Sequence, residues 1–170
     1  MNYSECIENA RTRIGNYCKA CPECNGRACK NQMPGPGAKG IGDTAIRNYD
    51  KWKEIRVQMD TIAENKPVDT SLELFGKKFL YPFFAGPVGA VGLHYGDCLD
   101  DVRYNDILVS ACAKYGIAAF TGDGLDSNVM VAATKAIGKT DGIGIPTVKP
   151  WNIDTVAEKM KMVQESKAFA

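Results

Sequence analysis

The chain of 170 residues lacks an excess of charge of either sign, because 21 Lys and Arg residues face 20 Asp and Glu residues and the net charge is +1. A balanced charge gives no basis for binding nucleic acid or an anionic membrane surface. The chain also lacks any run near the roughly 18 apolar residues that a membrane span needs. It has only one histidine. These absences argue against nucleic-acid-binding and membrane-spanning classes.

A secretion signal is missing as well, since Met1 to Cys6 show no basic and then apolar pattern. We therefore expect a cytoplasmic protein. Cysteine, by contrast, is abundant at seven residues. In the cytoplasm, clustered cysteines more often bind metal or carry out redox chemistry than form disulfides. The composition is otherwise globular, 45% hydrophobic and 24% charged, and the length suits one domain with a sizeable core.

Four of the cysteines fall within twelve positions, with the spacing C-x2-C-x2-C-x4-C. Four thiolates satisfy either a tetrahedral zinc ion or a cubane iron–sulfur cluster. The spacing is near that of a bacterial ferredoxin, but it has an extra residue before the fourth cysteine and lacks the proline that would follow. The pattern predicts a metal centre, iron–sulfur or zinc, and the alternative is a loop with free thiols. The predicted ligands are Cys18, Cys21, Cys24 and Cys29.

The stretch Phe79–Leu93 organises the rest of the chain. Its apolar run, Phe79 to Ala85, predicts a strand that is buried on both faces. The glycines and prolines that follow predict a loop whose backbone approaches a ligand closely, because glycine has no Cβ. The alternative is a core strand that ends in a plain turn.

After this stretch, strand and helix patterns alternate along the chain, which predicts a parallel sheet. Ligands bind such sheets at the carboxyl ends of the strands. No G-x-G-x-x-G opens a helix after the first strand, which argues against a dinucleotide fold. The predicted elements are a helix after Asp100 and Asp101, a strand over 117–121, a helix capped by Ser127, a strand over 142–148, a helix capped by Asn152 or Asp154, and the start of a strand at 168–170.

The residues before the central stretch predict two helices and a hairpin. Ser4 is the predicted cap of the first helix, and a Gly/Pro-rich loop follows at 34–42. Asp50 is the predicted cap of the second helix, with an apolar face that includes Ile55 and Met59. Residues 70–79 predict a hairpin that turns at Gly76.

These patterns predict the N-terminal part of a TIM (β/α)8 barrel, of the α/β class, preceded by a helical, cysteine-rich segment. A full barrel needs eight units and roughly 250 residues, and about three and a half units are present. We expect residues 1–69 to form the helical segment with the cysteine cluster, and residues 70–170 to form the first half of the barrel. We also expect the chain to be part of a longer protein and to be inactive by itself.

The segment Leu80–Ala90, LYPFFAGPVGA, resembles the first barrel strand of the FMN-dependent α-hydroxy-acid oxidising enzymes, which include lactate and glycolate oxidases. The segments Lys114–Thr121 and Gly144–Val148 follow in the family's order. The resemblance covers about residues 70–170 and implies a TIM barrel, an FMN cofactor and oxidation of a lactate-like 2-hydroxy acid to a 2-oxo acid. The N-terminus lies outside it and looks closer to a cysteine-containing subgroup from anaerobic bacteria.

The resemblance also implies the residues that contact the flavin. In that family a Pro-x-x-Ala segment after the first strand lies against the ring through its backbone. A family serine falls at Gly122, so that side-chain contact is missing here. A family glutamine falls at Thr147, which can still hydrogen-bond the edge of the ring. The residues that match the Pro-x-x-Ala segment are Pro87, Val88, Gly89 and Ala90.

The catalytic base is unassigned, because the resemblance puts the family's histidine base, its carboxylate-binding arginine and its phosphate-binding loop beyond residue 170. His94 therefore has no claim to be the base by resemblance. Lys149 stands where the family has a substrate-contacting tyrosine. A cation there can hold a substrate carboxylate or the charge of reduced flavin, and the alternative is a solvated lysine.

The expected partner is a small 2-hydroxy acid, with no nucleic acid and no membrane, and we expect the full-length protein to be a homo-oligomer. Two other functions stay open. One is a different FMN-barrel enzyme, glutamate-synthase-like or isopentenyl-diphosphate-isomerase-like. The other is a non-catalytic metal-binding module in which the cysteine run is the working part.

Overall fold

The computed structural model describes residues 2–30, 32 and 43–170. The chain forms two compact units. The cysteine unit consists of Met1–Pro67 and Gly92–Cys98, and the sheet unit consists of Val68–Val91 and Leu99–Ala170. The predicted division at residues 69 and 70 stays a prediction. The predicted Gly/Pro loop at 34–42 lies outside the described residues.

In the cysteine unit, helix α1 (Tyr3–Arg13) begins with a capping box. The Asn2 side chain accepts a hydrogen bond from the Glu5 N–H at 3.0 Å. The Glu5 carboxylate accepts one from the Asn2 N–H at 2.9 Å. Because Asn2 is the N-cap and accepts a hydrogen bond from a backbone N–H of the first turn, the predicted cap at Ser4 is wrong.

Helix α2 spans Asp43–Trp52, so it ends near the point where the sequence predicted a helix to begin. The predicted helix capped by Asp50 is therefore wrong. Ile55 and Met59, which were to form its apolar face, are 65% and 88% exposed. A helix in water depends mostly on packing of its apolar face, and here that face has no core to pack on. A third, five-residue helix, α3 (Val91–Tyr95), was not predicted.

The predicted hairpin is present in the sheet unit. Strands β1 (Leu72–Leu74) and β2 (Lys77–Phe79) pair antiparallel, and Leu72 lies opposite Phe79. The two-residue turn is Phe75–Gly76, and both residues have positive φ, 49° and 73°. Turns of this kind match the twist of the flanking strands.

The predicted uninterrupted strand from Phe79 to Ala85 is wrong. Strand β2 ends at Phe79, and Leu80 and Phe83 are more than half exposed. Parallel pairing resumes only at Ala85, whose N–H donates to the Ala118 carbonyl at 3.0 Å. The chain therefore leaves the hairpin before it enters the parallel sheet.

Three short parallel segments lie side by side in chain order, at Ala85, at Ala119–Phe120 and at Ile145. The Phe120 N–H donates to the Ala85 carbonyl at 2.9 Å, and the Ile145 N–H donates to the Ala119 carbonyl at 2.9 Å. A further hydrogen bond, from the Phe169 N–H to the Gly142 carbonyl at 3.1 Å, joins residues 168–170 to the third segment. This succession is that of part of a β/α barrel.

The three helices between and after these segments were predicted, and each begins at an aspartate or asparagine cap. The cap of α4 is Asp100, one of the two aspartates predicted to precede that helix, and the cap of α6 is Asn152, one of the two predicted alternatives. The cap of α5 is Asp126, so the prediction of Ser127 was one residue late. The helices span Asp101–Lys114 (α4), Ser127–Lys139 (α5) and Ile153–Ser166 (α6).

The core of the sheet unit lies between α4, α5 and the second parallel segment. Val109 of α4, Ile137 of α5 and Ala119 of the segment are fully buried. Burying one such large side chain contributes roughly 1.5–3 kcal/mol. Across the described residues, no helix combines the length and the apolar character that crossing a bilayer requires.

Candidate functional site

The loops that follow the three parallel segments form what we call the carboxyl edge: residues 86–91, 121–124 and 146–151. All three belong to the sheet unit. Because neighbouring parallel strands end at the same side of a sheet, these loops are brought together. The edge contains the predicted flavin residues and Lys149.

The first loop packs directly on the second. A Cβ built on Gly122 would lie 2.1 Å from the Val88 carbonyl oxygen, and one on Gly89 would lie 3.2 Å from the Asp123 carbonyl oxygen. Gly122 also donates its N–H to the buried Asn105 side chain at 3.3 Å. A side chain at position 122 would therefore require the backbone of the first loop to move.

The first loop contains backbone N–H groups that make no hydrogen bond among the described residues. Among the described residues, the N–H groups of Val88, Gly89 and Ala90 donate to no acceptor. Ala90 is held at φ 54°, a left-handed conformation that is uncommon for alanine. Unpaired backbone donors in an ordered loop are groups that a ligand can satisfy. This arrangement fits a flavin that is contacted through the backbone.

A second unpaired group lies at the end of the second segment. The Thr121 hydroxyl is fully buried and has no hydrogen-bond partner among the described residues. Leaving such a group unpaired costs about 1–3 kcal/mol. Thr147, the predicted contact to the ring edge, is half-buried in the third loop of the same edge.

Asp123 ties the second loop to the third. It is 2% exposed, so it is not the surface turn residue that its place between two glycines suggests. One carboxylate oxygen, Oδ2, accepts the Lys149 N–H at 2.8 Å and the Trp151 indole N–H at 2.7 Å. The other, Oδ1, accepts from the ammonium of Lys159 on α6. The carboxylate therefore fixes the backbone on which Lys149 stands.

The charge state of Asp123 follows from these contacts. Burial raises the pKa of the carboxyl group, but hydrogen bonds from Lys159, Lys149 and Trp151, with the positive charge of Lys159, lower it more. The net pKa lies below the usual value for aspartate. Asp123 and Lys159 are therefore a buried ion pair at neutral pH.

Lys149 presents a cation at the edge. The residue is exposed, and its ammonium makes no ion pair with any carboxylate among the described residues. It lies 5.9 Å from the centroid of the Trp151 ring. The Lys159 ammonium lies closer to the same ring, at 4.8 Å. Of the two lysines, Lys149 is the one left for a ligand.

Sequence reasoning missed Lys159 and Trp151. Lys159 carried a signal, because it lies three residues after Val156 and four before Val163, on the apolar face of α6. A lysine in such a stripe needs a buried acidic partner. The single histidine, His94, belongs to α3 in the cysteine unit, where its ring meets that of Tyr95 edge to face at 6.0 Å.

The four predicted metal ligands line one cavity of about 130 Å³ in the cysteine unit. All four are free thiols. Burial, followed by the neighbouring thiols Cys29, Cys18 and Cys21, raises the pKa of Cys24. Among the described residues, no three His, Cys, Asp or Glu side chains converge closely enough to hold a single ion. The cavity is also lined by Tyr95.

The fold and the carboxyl edge are those of part of a β/α barrel, a fold in which ligands bind at the carboxyl ends of the parallel strands. The model of one family, FMN-dependent dehydrogenase, matches residues 35–153. The chain belongs to this family, whose fold is a TIM barrel, and membership supports an FMN-dependent oxidoreductase. The match includes the carboxyl edge up to Trp151 and begins after the cysteine run.

None of the curated proteins and none of the solved structures compared with this chain matches it.

Proposed function

We propose that this protein oxidises a 2-hydroxy acid to a 2-oxo acid with FMN bound at the carboxyl edge. The observation that carries the proposal is the pairing, at one edge, of a loop with unpaired backbone donors and a lysine with no acidic partner. The backbone donors can hydrogen-bond a flavin, and the lysine can pair with the carboxylate of the acid. When bound, FMN accepts the two electrons that the hydroxy acid gives up.

Pro87, Val88, Gly89 and Ala90 hold the flavin through the backbone in this proposal. The three unpaired N–H groups of the loop support it. Thr147 hydrogen-bonds the edge of the ring. Gly122 contributes no side chain, and the close approach of Val88 to it supports a role in seating the first loop.

Lys149 holds the substrate carboxylate. Its N–H is fixed on Asp123 at 2.8 Å while its ammonium makes no ion pair with a carboxylate among the described residues. A charge-assisted bond of this kind is worth roughly 1.5–3 kcal/mol. Its loss therefore lowers kcat/KM about 10- to 100-fold.

The test compares the protein as its gene encodes it with the variant Lys149→Met. Both are loaded with FMN, and reduction of a dye is followed with L-lactate and with glycolate as substrates. We expect the variant to bind FMN as the parent does and to lose kcat/KM by the factor given above. Lys149→Arg should recover part of the loss, because it keeps the positive charge.

The matched control is Lys161→Met, an exposed lysine on α6 that lies outside the carboxyl edge. It should leave kcat/KM unchanged. FMN binding without oxidation of any 2-hydroxy acid by the parent protein would overturn the choice of substrate. Equal kcat/KM in the parent and in Lys149→Met would mean that Lys149 is a solvated lysine that does not contact the substrate.

We also propose that Cys18, Cys21, Cys24 and Cys29 bind one metal centre, either iron–sulfur or zinc. Their sequence spacing and their place around a single cavity support this. Metal analysis that finds no iron and no zinc, with four thiols that titrate freely, would overturn it.

A further inference from the structure

We propose that two side chains at the start of α4, Asp101 and Asn105, position the first and second loops of the carboxyl edge for FMN. This role rests on the flavin site proposed above and gives that site its shape. Asp101, Asn105 and both loops belong to the sheet unit. The two side chains are positioning residues, because they act on the flavin only through the backbone of the loops that they hold.

Asp101 holds the end of the first loop. Its carboxylate oxygen Oδ2 accepts the N–H of Val91, the last residue of that loop, at 3.1 Å. A carboxylate is a stronger acceptor of a hydrogen bond than a neutral oxygen. Val91 is also only 3% exposed, so that burial and the carboxylate together anchor the end of the loop. The N–H groups of the loop that are unpaired among the described residues lie directly before this anchor.

Ala90 needs such an anchor because its backbone is strained. Its φ of 54° lies in the left-handed region, which is unfavourable for a residue with a Cβ. A conformation of this kind persists only where the surrounding structure holds it in place. The next residue is Val91, whose N–H is fixed by the Asp101 carboxylate. Without that contact Ala90 can relax to a negative φ, which changes the direction of its own unpaired N–H relative to Val91.

Asn105 holds the second loop. It is fully buried and lies four residues before Val109 on the core face of α4, a position that is usually apolar. Its amide oxygen accepts the Gly122 N–H at 3.3 Å, and its amide nitrogen donates to the Asp101 carbonyl at 2.9 Å. A buried amide is tolerated where its polar atoms are paired. Asn105 therefore ties the second loop to the same turn of helix that anchors Val91.

The two contacts act on one surface, because the loops pack on each other. A Cβ on Gly122 would lie 2.1 Å from the Val88 carbonyl oxygen, so the two loops are in backbone contact there. Asp101 and Asn105 are one helical turn apart and thus fix both loops to one helix. Donors that are held in place before a ligand arrives lose less conformational freedom on binding. The consequence should be a higher affinity for FMN.

The experiment titrates FMN into flavin-free protein, as its gene encodes it, and follows the change in flavin fluorescence. Circular dichroism first establishes that each variant is folded, so that the Kd reports on the loops and not on unfolded chain. We expect the Kd to rise about 10-fold in Asp101→Ala and in Asn105→Ala, since each loses a hydrogen bond to a loop. Asp101→Asn should stay within about threefold of the parent, because an amide oxygen can still accept the Val91 N–H.

Two controls remove comparable groups from the sheet unit outside the first and second loops. Thr134→Ala removes a buried hydroxyl that donates to the Met130 carbonyl at 2.9 Å within α5. Asp154→Ala removes an acidic residue from the first turn of α6, as Asp101→Ala does from α4. Both variants should bind FMN with the Kd of the parent.

An unchanged Kd in folded Asp101→Ala or Asn105→Ala would overturn the positioning role of that residue and leave the flavin site in place. An equal rise in the controls would also overturn it, as would a rise in Asp101→Asn as large as in Asp101→Ala. If Asn105→Ala does not fold, the comparison of the two Asp101 variants still decides. A parent protein that takes up no FMN would overturn the flavin site itself, and the positioning role with it.

Discussion

Gly122 shows how one residue sets the geometry of a neighbouring loop. The Val88 carbonyl oxygen lies 2.1 Å from the position of an added Cβ, and that oxygen belongs to the backbone and has no rotamer with which to move away. The glycine thus lets the first loop of the carboxyl edge pack on the second.

We predict that Gly122→Ala lowers the free energy of unfolding by about 1–3 kcal/mol, the usual cost of inserting a methyl group into a packed site. FMN affinity should fall with it, because the Val88 backbone must shift. Gly124→Ala is the control, since a Cβ there would meet nothing within 4 Å. Denaturant unfolding and flavin titration measure the two effects. A variant with unchanged stability would contradict the packing of these loops.

The burial of Asp123 against Lys159 could not be predicted from the residues next to it in sequence. An aspartate between two glycines is the pattern of an exposed turn, yet Asp123 is buried because a lysine 36 residues later reaches it. No window around Asp123 contains that lysine. The glycines of the carboxyl edge were found from local sequence, but the backbone that leaves no room for a Cβ is also distant in sequence, since Gly122 meets Val88 and Gly89 meets Asp123.

At the scale of elements, α4, α5 and α6 were predictable because their signals are local. Each has an apolar stripe at helical spacing and a capping residue just before it. The predicted helix over Ile55 and Met59 had the same spacing but no partner surface. Periodicity indicates which face a helix would bury, but it does not indicate whether a core is present to receive that face.

The cap of α5 gives a prediction with a built-in control. Asp126 accepts the Asn128 N–H at 2.9 Å. Asp126→Ala should lower the free energy of unfolding by about 0.5–2 kcal/mol, the usual cost of losing an N-cap. Ser127→Ala, one residue later, should change it little. Thermal unfolding of both variants makes the comparison. A larger loss of stability in Ser127→Ala than in Asp126→Ala would mean that Ser127 is the cap, as the sequence predicted.

For the whole molecule, the match to the dehydrogenase family and the cysteine chemistry fall on different parts of the chain. The match covers residues 35–153, and the four cysteines precede it. Fold class and cofactor were therefore accessible from motifs of the sheet unit. The four cysteines line one cavity of the cysteine unit, but their spacing does not say which metal they would bind, because zinc and iron–sulfur clusters both take four thiolates.

The buried pair of Asp123 and Lys159 makes the stability of the molecule depend on pH in a defined direction. The pKa of Asp123 is lowered on folding, so its contribution is fully present above the unfolded value of about 3.9. The contribution is lost as the pH falls through the folded value. Asp123→Asn leaves the Lys159 ammonium buried without its counter-charge, and it should cost about 3–5 kcal/mol at pH 7.

Denaturant unfolding followed by circular dichroism, from pH 7 down to below the unfolded pKa of aspartate, tests this prediction. The difference between the parent and Asp123→Asn should shrink once the pH falls below about 4. Asp141→Asn is the control, because Asp141 also faces a lysine, Lys77 at 3.7 Å, but its side chain is 99% exposed. An exposed pair contributes at most about 1 kcal/mol. A loss for Asp123→Asn that is no larger than the control's, or one that does not change with pH, would mean that the carboxylate does not hold the second and third loops together.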